Sequence, residues 1–259
     1  MGNPVKVIGI IPARYGSTRL KAKPLADICG KPMIQHVAER ARKARCLSDV
    51  LVATDDERVV AAVKNFGGHA VMTPQELRSG TDRIAFAAKG LAGADLIVNI
   101  QGDEPLIAPE MIDATVEPLL RDASIRAGTA AKQLSSEEEL RNPSIVKVVM
   151  DSAGNALYFS RSPIPYLRDG GGDKSWTSIH TYYKHFGIYV FRREFLIEFS
   201  GWSESALEKA ERLEQLRILE HGVAIRVTLT DCESVAVDTP EDLEMVRSIL
   251  RKQLSAKNL

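Results

Sequence analysis

The first hundred residues alternate short apolar runs with amphipathic helical patterns, and this alternation constrains the fold more than any other feature. The runs follow one another as strand 5–11 (VKVIGII), helix 32–44 with Pro32 in its first turn, strand 50–54, helix 56–68, a short strand HAVMT, helix TDRIAFAAKGL and strand 95–101. Successive buried strands joined by helices pair in parallel, because a parallel pair needs a crossover connection. The sequence therefore predicts an α/β fold with helices on both faces of a parallel sheet.

The second half of the chain is less regular and predicts an antiparallel part. Residues 145–161 contain two strand patterns joined by a turn at DSAGN, which is typical of a hairpin. A strand is predicted at 186–191, one continuous helix at 207–222 and a further strand at VAIRVTL. The polar, glycine-rich stretch 168–175 predicts a mobile loop. We therefore expect one compact α/β domain that carries an antiparallel insertion, and not two independent domains.

Three residues mark the start of a last helix. Thr239 fits an N-cap, Pro240 the first helical position and Asp242 the partner of a capping box. An apolar stripe follows at helical spacing and consists of Leu243, Val246, Ile249 and Leu250. The sequence therefore predicts an amphipathic helix that buries this stripe.

Composition excludes several classes of protein. The 259 residues include 34 Lys and Arg and 34 Asp and Glu, so no net field attracts nucleic acid or an anionic membrane. The three cysteines lack metal-ligand spacing, which favours reduced thiols over a disulfide framework or a zinc site. No apolar run approaches the roughly 18 residues of a membrane span, and no signal-peptide pattern is present. A cytoplasmic protein with no membrane or nucleic-acid partner is the expectation.

A cluster of cations follows the first predicted strand, in the segment IIPARYGSTRLKAKPL. Arg14, Arg19, Lys21 and Lys23 fall within ten residues, and Gly16 allows the backbone to turn close to a ligand. In an open parallel sheet, ligands bind beyond the carboxyl ends of the strands, where this loop begins. Arg14, Arg19 and Lys23 there are suited to a triphosphate. The alternative is a solvated charged loop, and the position after a buried strand favours the phosphate site.

Two acidic motifs are candidates for a magnesium site. In NIQGDEP, Asp103 directly follows a predicted strand, and Mg²⁺ takes one or two carboxylates together with substrate phosphates. The alternative is an ordinary acidic turn. In AVDTPED, Asp238 lies just before the last helix, where acidic residues are favoured by the helix dipole alone. Asp238 therefore matters only if the fold places it opposite Asp103, which the spacing cannot show.

Other polar motifs have equally plausible structural explanations. In RSGTDRIAF, Ser79 and Gly80 could bind the edge of a base, but capping of the following helix explains the same residues. His185 could be an acid–base group, a hydrogen-bond donor or a satisfied core residue, and it shares the parity of Tyr189 on a predicted strand. The polar residues of the helix at 207–222 are those of an ordinary solvated face, namely Glu214, Gln215 and Arg217.

Together these segments resemble the 3-deoxy-manno-octulosonate (Kdo) cytidylyltransferases, also called CMP-Kdo synthetases. The resemblance covers some 235 residues and is carried, in order, by IPARYGSTRL, KPL, GKPMIQHV, VATDD, SGTDR, QGDEP, ALYFSR, KHFGIYVF, LEQLR and VDTPEDLE. It implies a Rossmann-like α/β/α sandwich of the nucleotide-diphospho-sugar transferase-like type, usually found as a homodimer. It also implies a single domain over 1–259, with a nucleotide-binding part near 1–125 and a sugar-binding and dimerisation part near 126–230.

The resemblance implies a role for each site residue. The phosphates would be bound by Arg14, Arg19 and Lys23. Mg²⁺ would be bound by Asp103 and Asp238. The cytidine would be surrounded by Ser79, Gly80 and Gln101. The sugar acid is surrounded by Arg161, His185, Tyr189, Glu214 and Gln215. Two departures from the family pattern stand out: Lys21 and Ala22 replace a frequent Pro-Gly, and Leu77 stands where many members have histidine. The first leaves the backbone path of the cationic loop open.

The implied reaction is transfer of CMP from CTP to Kdo, giving CMP-Kdo and pyrophosphate for lipopolysaccharide assembly. Two alternatives remain open at the level of sequence. The acceptor could be another acidic sugar, such as 8-amino-Kdo or a sialic acid, or the chain could be a nucleotide-binding module without turnover. Two aspartates and Lys23 together favour catalysis, because binding alone needs fewer charged groups.

Overall fold

The computed structural model describes residues 4–16, 20–168 and 175–257. Two compact units make up the chain, one formed by Met1–Asp113 with Glu233–Leu259 and the other by Ala114–Cys232. The predicted division of roles between 1–125 and 126–230 stays a prediction. No helix in the described part of the chain combines the length and the apolar character needed to cross a membrane.

The first unit is built on parallel strands. Its elements are β1 (Val7–Ala13), β2 (Asp27–Ile28), β3 (Lys31–Pro32), α1 (Met33–Ala41), β4 (Asp49–Thr54), α2 (Glu57–Asn65), β5 (His69–Met72), α3 (Gly80–Lys89) and β6 (Leu96–Asn99). The parallel strands lie in the order β6-β1-β4-β5, and β2 and β3 form a separate antiparallel pair. The chain then passes from one unit to the other along α4 (Pro109–Arg121).

Strand β1 begins and ends two residues later than predicted. Its pairing with β4 continues as far as Ala13 and Thr54, so the whole strand is shifted toward its carboxyl end. Ile10 and Ile11 in its middle are fully buried. As a result, Arg14 is the first residue beyond the strand, at the edge of the sheet where a ligand is expected.

Side-chain caps set the starts of α2 and α3 in the first unit. The Asp56 carboxylate accepts a hydrogen bond from the amide of Arg58 at the start of α2. The Ser79 hydroxyl accepts from the amide of Asp82 at 3.0 Å, so the capping explanation of the SGTDR motif is correct for this serine. Each cap satisfies a helix amide that has no partner within the helix.

The second unit carries the antiparallel strands. Its elements are β7 (Ala127–Gln133), α5 (Glu137–Arg141), β8 (Lys147–Met150), β9 (Ala156–Ser160), α6 (Trp176–Ile179), β10 (Tyr183–Arg192), α7 (Arg193–Ser200), α8 (Ala206–Glu211), α9 (Gln215–Glu220) and β11 (Ile225–Leu229). Strand β10 pairs antiparallel with β7 and β8, and β11 pairs parallel with β7. The predicted hairpin is confirmed, since β8 and β9 pair antiparallel. Residues 169–174 of the predicted loop at 168–175 lie outside the described residues.

The single helix predicted over 207–222 is wrong. Two short helices, α8 and α9, replace it, and Arg212 between them has the left-handed backbone φ of 55°. The break lets Arg217 reach back to Glu208, with 3.0 Å between Nη2 and Oε1. In a continuous helix these two residues would be about 13 Å apart along the axis. The chain therefore forms the buried ion pair between Arg217 and Glu208 in place of a continuous helix.

The last helix, α10 (Pro240–Lys257), belongs to the first unit and begins as predicted. Asp242 Oδ2 accepts from the amide of Thr239 at 2.9 Å, and the Asp242 amide donates to Thr239 Oγ1 at 3.2 Å. These reciprocal bonds are those of a capping box. The helix buries Leu243, Val246 and Leu250 against a cluster that contains Ile28 and Met33, while Ile249 is half-buried.

The strands and helices described above confirm the predicted α/β fold class.

Candidate active site

A cleft of about 350 Å³ opens beyond the carboxyl ends of β1 and β6 in the first unit. It is lined by Pro12, Ala13, Arg14, Gly16, Lys23, Pro24, Gln101, Gly102, Asp103 and Asp238. Gly102 is required where the two strand ends meet, because a Cβ atom on it would lie only 2.6 Å from the carbonyl oxygen of Pro12. Six of the residues that the sequence singled out therefore lie in one cleft, and its lining is strongly charged.

Lys23 joins the two aspartates of this cleft. Its ammonium nitrogen lies 2.6 Å from Asp103 Oδ2 and 2.9 Å from Asp238 Oδ1. Burial acts to lower the pKa of Lys23, but the attraction of Asp103 and Asp238 raises it above its ordinary value. The ammonium group therefore stays charged, and two carboxylates separated by 135 positions in the sequence face one point in space.

Asp103 and Asp238 are held in place by neighbours that the sequence did not reveal. The backbone oxygen of Asp103 accepts from the amide of Val237 at 2.8 Å, and Val237 is fully buried. Beside this bond, the Ser234 hydroxyl donates to Glu104 Oε2 at 2.6 Å. Burial and the nearby Asp103 charge raise the pKa of Glu104 to about 7. These bonds fasten the irregular segment before α10 to the QGDEP turn.

Lys23 begins a three-residue 3₁₀ turn, Lys23–Leu25, and the residue before it is conformationally strained. Ala22 has φ 54° and ψ 35°, a left-handed conformation that glycine adopts without strain. The glycine of the family pattern falls at this position. The loop thus keeps a left-handed turn here although the sequence has alanine.

We expect Ala22→Gly to raise the free energy of unfolding by about 0.5–1 kcal/mol, because glycine relieves the left-handed strain but adds unfolded-state entropy. Urea unfolding of the two proteins measures the difference. Gly16→Ala, at a cleft residue without this backbone strain, serves as a comparison. A loss of stability in Ala22→Gly would contradict the assigned strain.

Buried groups also support the loop that follows β1. The Asp55 carboxylate accepts from the amide of Tyr15 at 3.4 Å and from Arg83 Nη2 at 2.9 Å. The Arg83 side chain is fully buried. The guanidinium of Arg14 donates to the carbonyl oxygen of Leu77, where many family members have histidine. Arg19 lies outside the described residues, so its predicted phosphate contact stays a prediction.

The residues predicted near the cytidine lie around the same cleft. Gln101 lines it, and Gly80 approaches its wall closely, since a Cβ atom on Gly80 would be 3.4 Å from Pro12 Cγ. Ser79 serves as the N-cap of α3. Base recognition by these three residues stays a prediction.

In the second unit, His185 and Tyr189 lie side by side on β10, with ring centroids 5.4 Å apart. The Thr129 hydroxyl donates to the carbonyl oxygen of Ile188 at 2.7 Å, so His185 must donate from Nε2 to Thr129 Oγ1 at 2.9 Å. This assignment leaves Nδ1 of His185 as an acceptor. Burial lowers the pKa of His185 to about 3, and burial together with the Glu214 charge raises the pKa of Tyr189 well above its usual value. Both rings are therefore neutral near pH 7.

We expect the free energy of unfolding to fall as the pH drops below 6.5. In that range His185 binds a proton in the unfolded chain but stays neutral in the folded chain. The slope has an upper limit of about 1.4 kcal/mol per pH unit, reduced here because part of the side chain meets solvent. Urea unfolding between pH 7 and pH 5 measures it for the wild type, for His185→Gln and for His180→Gln, in which an exposed histidine is changed. His185→Gln should flatten the profile and His180→Gln should not. Identical profiles would contradict a neutral, buried His185.

Arg161 is fixed by an unusual set of backbone contacts. Its guanidinium donates to the carbonyl oxygens of Glu211 at 2.8 Å and Pro143 at 3.0 Å. Its own carbonyl oxygen accepts from Lys147 at 2.6 Å, and this buried ammonium also binds the carbonyl oxygens of Asn142 and Ile145. Because each terminal guanidinium nitrogen carries two N–H groups, Arg161 keeps donors for a ligand.

The charged face at the start of α9 is not solvated, and that interpretation is wrong for Arg217. Its side chain is 4% exposed and contacts Glu208 and Glu214. Gln215 is also buried. The pair holds Glu214 Oε1 at 3.2 Å from Arg217 Nη2, so the predicted sugar-binding carboxylate has a fixed partner.

The fold and this cleft define a nucleotidyltransferase, and comparison with known proteins agrees. The cytidylyltransferase family pattern matches residues 8–225. The chain belongs to the 3-deoxy-manno-octulosonate cytidylyltransferases, the family that the sequence motifs resemble. The relative from Geotalea uraniireducens is 52% identical over 252 residues, covering 96% of this chain and all of the relative. The relative from Geobacter metallireducens is 53% identical over 246 residues, covering 93% and 96% of the two chains.

Solved structures give the same result. The structure of CMP:2-keto-3-deoxy-manno-octonic acid synthetase complexed with CTP has a TM-score of 0.89 and 44% identity, covering 96% of this chain and 99% of the other. The 4-diphosphocytidyl-2C-methyl-D-erythritol synthase of Anaerococcus prevotii has a TM-score of 0.63 at 13% identity, covering 95% and 96%. The second likeness concerns the fold alone.

Proposed function

We propose that this chain carries out its cytidylyl transfer from CTP to Kdo with the cleft of Lys23, Asp103 and Asp238 as the phosphate and metal site. The 2-hydroxyl oxygen of Kdo forms a bond to the α-phosphorus of CTP, the bond from that phosphorus to the pyrophosphate oxygen breaks, and the hydroxyl proton passes to solvent, so the products are CMP-Kdo, pyrophosphate and a proton. CMP-Kdo supplies lipopolysaccharide assembly. The observation that carries the proposal is one ammonium group within 3 Å of two carboxylates at a sheet edge that also presents Arg14.

The cleft residues suit Mg²⁺. Among the described residues, no group of three or more His, Cys, Asp or Glu side chains forms a metal cluster by itself. Two carboxylates that face one point are nonetheless a fitting donor set, because Mg²⁺ takes one or two carboxylates and completes its shell with phosphate oxygens and water. Asp103 and Asp238 would hold the ion, which would neutralise phosphate charge and reduce the repulsion that an incoming oxygen meets.

The cations of the cleft act on the triphosphate directly. Arg14 and Lys23 line the cleft proposed for the triphosphate, and Arg19 belongs to the same loop. Charge grows on the leaving pyrophosphate during the reaction, so cations fixed there stabilise the transition state more than the ground state. Positioning and charge neutralisation therefore supply most of the catalysis, as in other phosphoryl transfers.

For the sugar acid, the resemblance points to neutral and charged groups of the second unit. The guanidinium of Arg161 would bind the Kdo carboxylate, since arginine pairs with carboxylates through two N–H groups. His185 would accept a hydrogen bond at Nδ1 from a sugar hydroxyl group. Tyr189 would donate a hydrogen bond from its own hydroxyl group, because both rings are neutral. Glu214 and Gln215 would bind further hydroxyl groups. A pKa of about 3 makes His185 a poor general base.

Pyrophosphate release from CTP tests the proposal. We expect release only when Kdo and Mg²⁺ are both present, with one CMP-Kdo formed for each pyrophosphate. Faster release with 8-amino-Kdo or a sialic acid would move the assignment to another acidic sugar. CTP binding without release under any of these conditions would show a nucleotide-binding module instead.

A homodimer in the cytoplasm is also proposed on the resemblance and on exposed apolar side chains in the second unit. Leu157 on β9 and Leu229 at the end of β11 are 61% and 53% exposed. Exposed apolar side chains that form one patch often mark a protein interface, and β9 lies beside β11. Light scattering should give twice the chain mass of 28.4 kDa, and a Leu157→Lys variant should dissociate if this surface is the interface.

A further inference from the structure

The contact between Lys23 and the two aspartates presents a conflict for any divalent ion. The ammonium nitrogen lies 2.6 Å and 2.9 Å from one oxygen of each carboxylate. A divalent ion that binds both carboxylates would lie a few ångströms from this ammonium group, and the two cations repel each other strongly at such a distance. The ammonium group and the ion therefore compete for one position.

We infer that Lys23 is an exchangeable counter-ion, which neutralises Asp103 and Asp238 until CTP arrives and then transfers to the triphosphate as the divalent ion takes its place. This inference rests on the proposed function. It adds a coupling that the proposed function does not require. By this exchange, the chain binds the divalent ion weakly without nucleotide and tightly with it.

The side chains around the cleft allow this exchange. Lys23 has a flexible four-carbon stem, is 15% exposed and lines the cleft, so rotation about its side-chain bonds moves the charge by several ångströms. The backbone that carries the two carboxylates is held in place. The backbone oxygen of Asp103 binds the Val237 amide, and the Asp238 amide binds Asp242 Oδ2 at 2.9 Å. The lysine is thus the movable partner.

Arg14 is less suited to the same exchange. Its guanidinium donates to the carbonyl oxygen of Leu77, a neutral backbone group that does not compete with a divalent ion. Arg14 can therefore meet the triphosphate without releasing a carboxylate. Lys23 alone among the described cleft cations contacts both aspartates, so removal of its charge should change the metal affinity of the free chain.

The test measures Mn²⁺ binding to the full-length protein by electron paramagnetic resonance, without nucleotide. We expect Lys23→Ala and the longer, neutral Lys23→Gln to bind Mn²⁺ at least about tenfold more tightly than the wild type, because the Lys23 ammonium group then no longer competes with the ion for the two carboxylates. Lys21→Ala, which removes an exposed charge from the same loop, should leave the affinity unchanged. Adding Asp238→Asn to Lys23→Ala should abolish the gain.

A second titration measures the coupling. A non-hydrolysable CTP analogue should raise Mn²⁺ affinity more in the wild type than in Lys23→Ala, since linkage is reciprocal and the variant has no ammonium group to transfer. Equal or weaker Mn²⁺ affinity in both Lys23 variants without nucleotide would overturn the exchange. That result would leave the proposed function intact as long as the wild type releases pyrophosphate from CTP and Kdo.

Discussion

Asp103→Asn should lower kcat for pyrophosphate release by about 100–1,000-fold, the usual effect of removing one electrostatic partner of a transition state. The substitution keeps the shape of the side chain and the backbone bond from Val237 to the Asp103 oxygen. It removes one of the two charges that face Lys23 and, in the proposed mechanism, one ligand of the divalent ion. The loss should therefore be one of catalysis and not of folding.

A matched variant separates these effects. Glu241→Gln changes an exposed carboxylate to an amide only three residues from Asp238, and it should keep the wild-type rate. Steady-state release of pyrophosphate and thermal unfolding are measured for both variants. Turnover of Asp103→Asn near the wild-type level, with CTP binding unchanged, would contradict the role assigned to this carboxylate.

Lys23→Ala should cost a similar factor, about 100–1,000-fold in kcat, because it removes a charge that the leaving pyrophosphate meets in the transition state. KM for CTP should rise by a smaller factor, since Arg14 still lines the cleft and binds the ground state. Lys21→Ala in the same loop is the control, and its exposed side chain should contribute little. Stopped-flow or steady-state assays at saturating CTP give both constants.

If Lys23→Ala instead raised KM by that factor and left kcat unchanged, Lys23 would contribute only to binding of CTP in the ground state. Restoration of activity by Lys23→Arg would show that any cation suffices there. We expect incomplete restoration, because a planar guanidinium fits two carboxylates differently from a compact ammonium group.

The sequence predicted the parts of the fold that depend on local periodicity. Alternation of strands and helices identified the parallel sheet, and the Thr239–Asp242 pair fixed the start of α10 because a capping box is a local interaction. The same local reasoning failed over 207–222. There a contact between Glu208 and Arg217 requires a left-handed residue at Arg212, and no periodic pattern in the sequence indicates such a break.

The site shows a similar division. The cationic loop and the QGDEP turn were found from their positions after buried strands. Whether Asp238 faces Asp103 depends on how the chain returns after 135 residues, which spacing cannot show. The supporting contacts of Ser234 with Glu104 and of Asp55 with Arg83 were missed as well. Acidic residues beside a turn or a helix are common in sequences. Only the burial of their side chains in the structure distinguishes Glu104 and Asp55 from solvated acidic residues.

In the proposed mechanism, Asp103 and Asp238 hold one divalent ion against the phosphates of CTP. Anomalous diffraction from crystals grown with CTP and Mn²⁺ locates this ion. We expect one Mn²⁺ peak bonded to a carboxylate oxygen of each aspartate and to phosphate oxygens, with Lys23 turned toward the triphosphate. A peak that touches neither aspartate, or CTP bound away from the cleft, would contradict this mechanism.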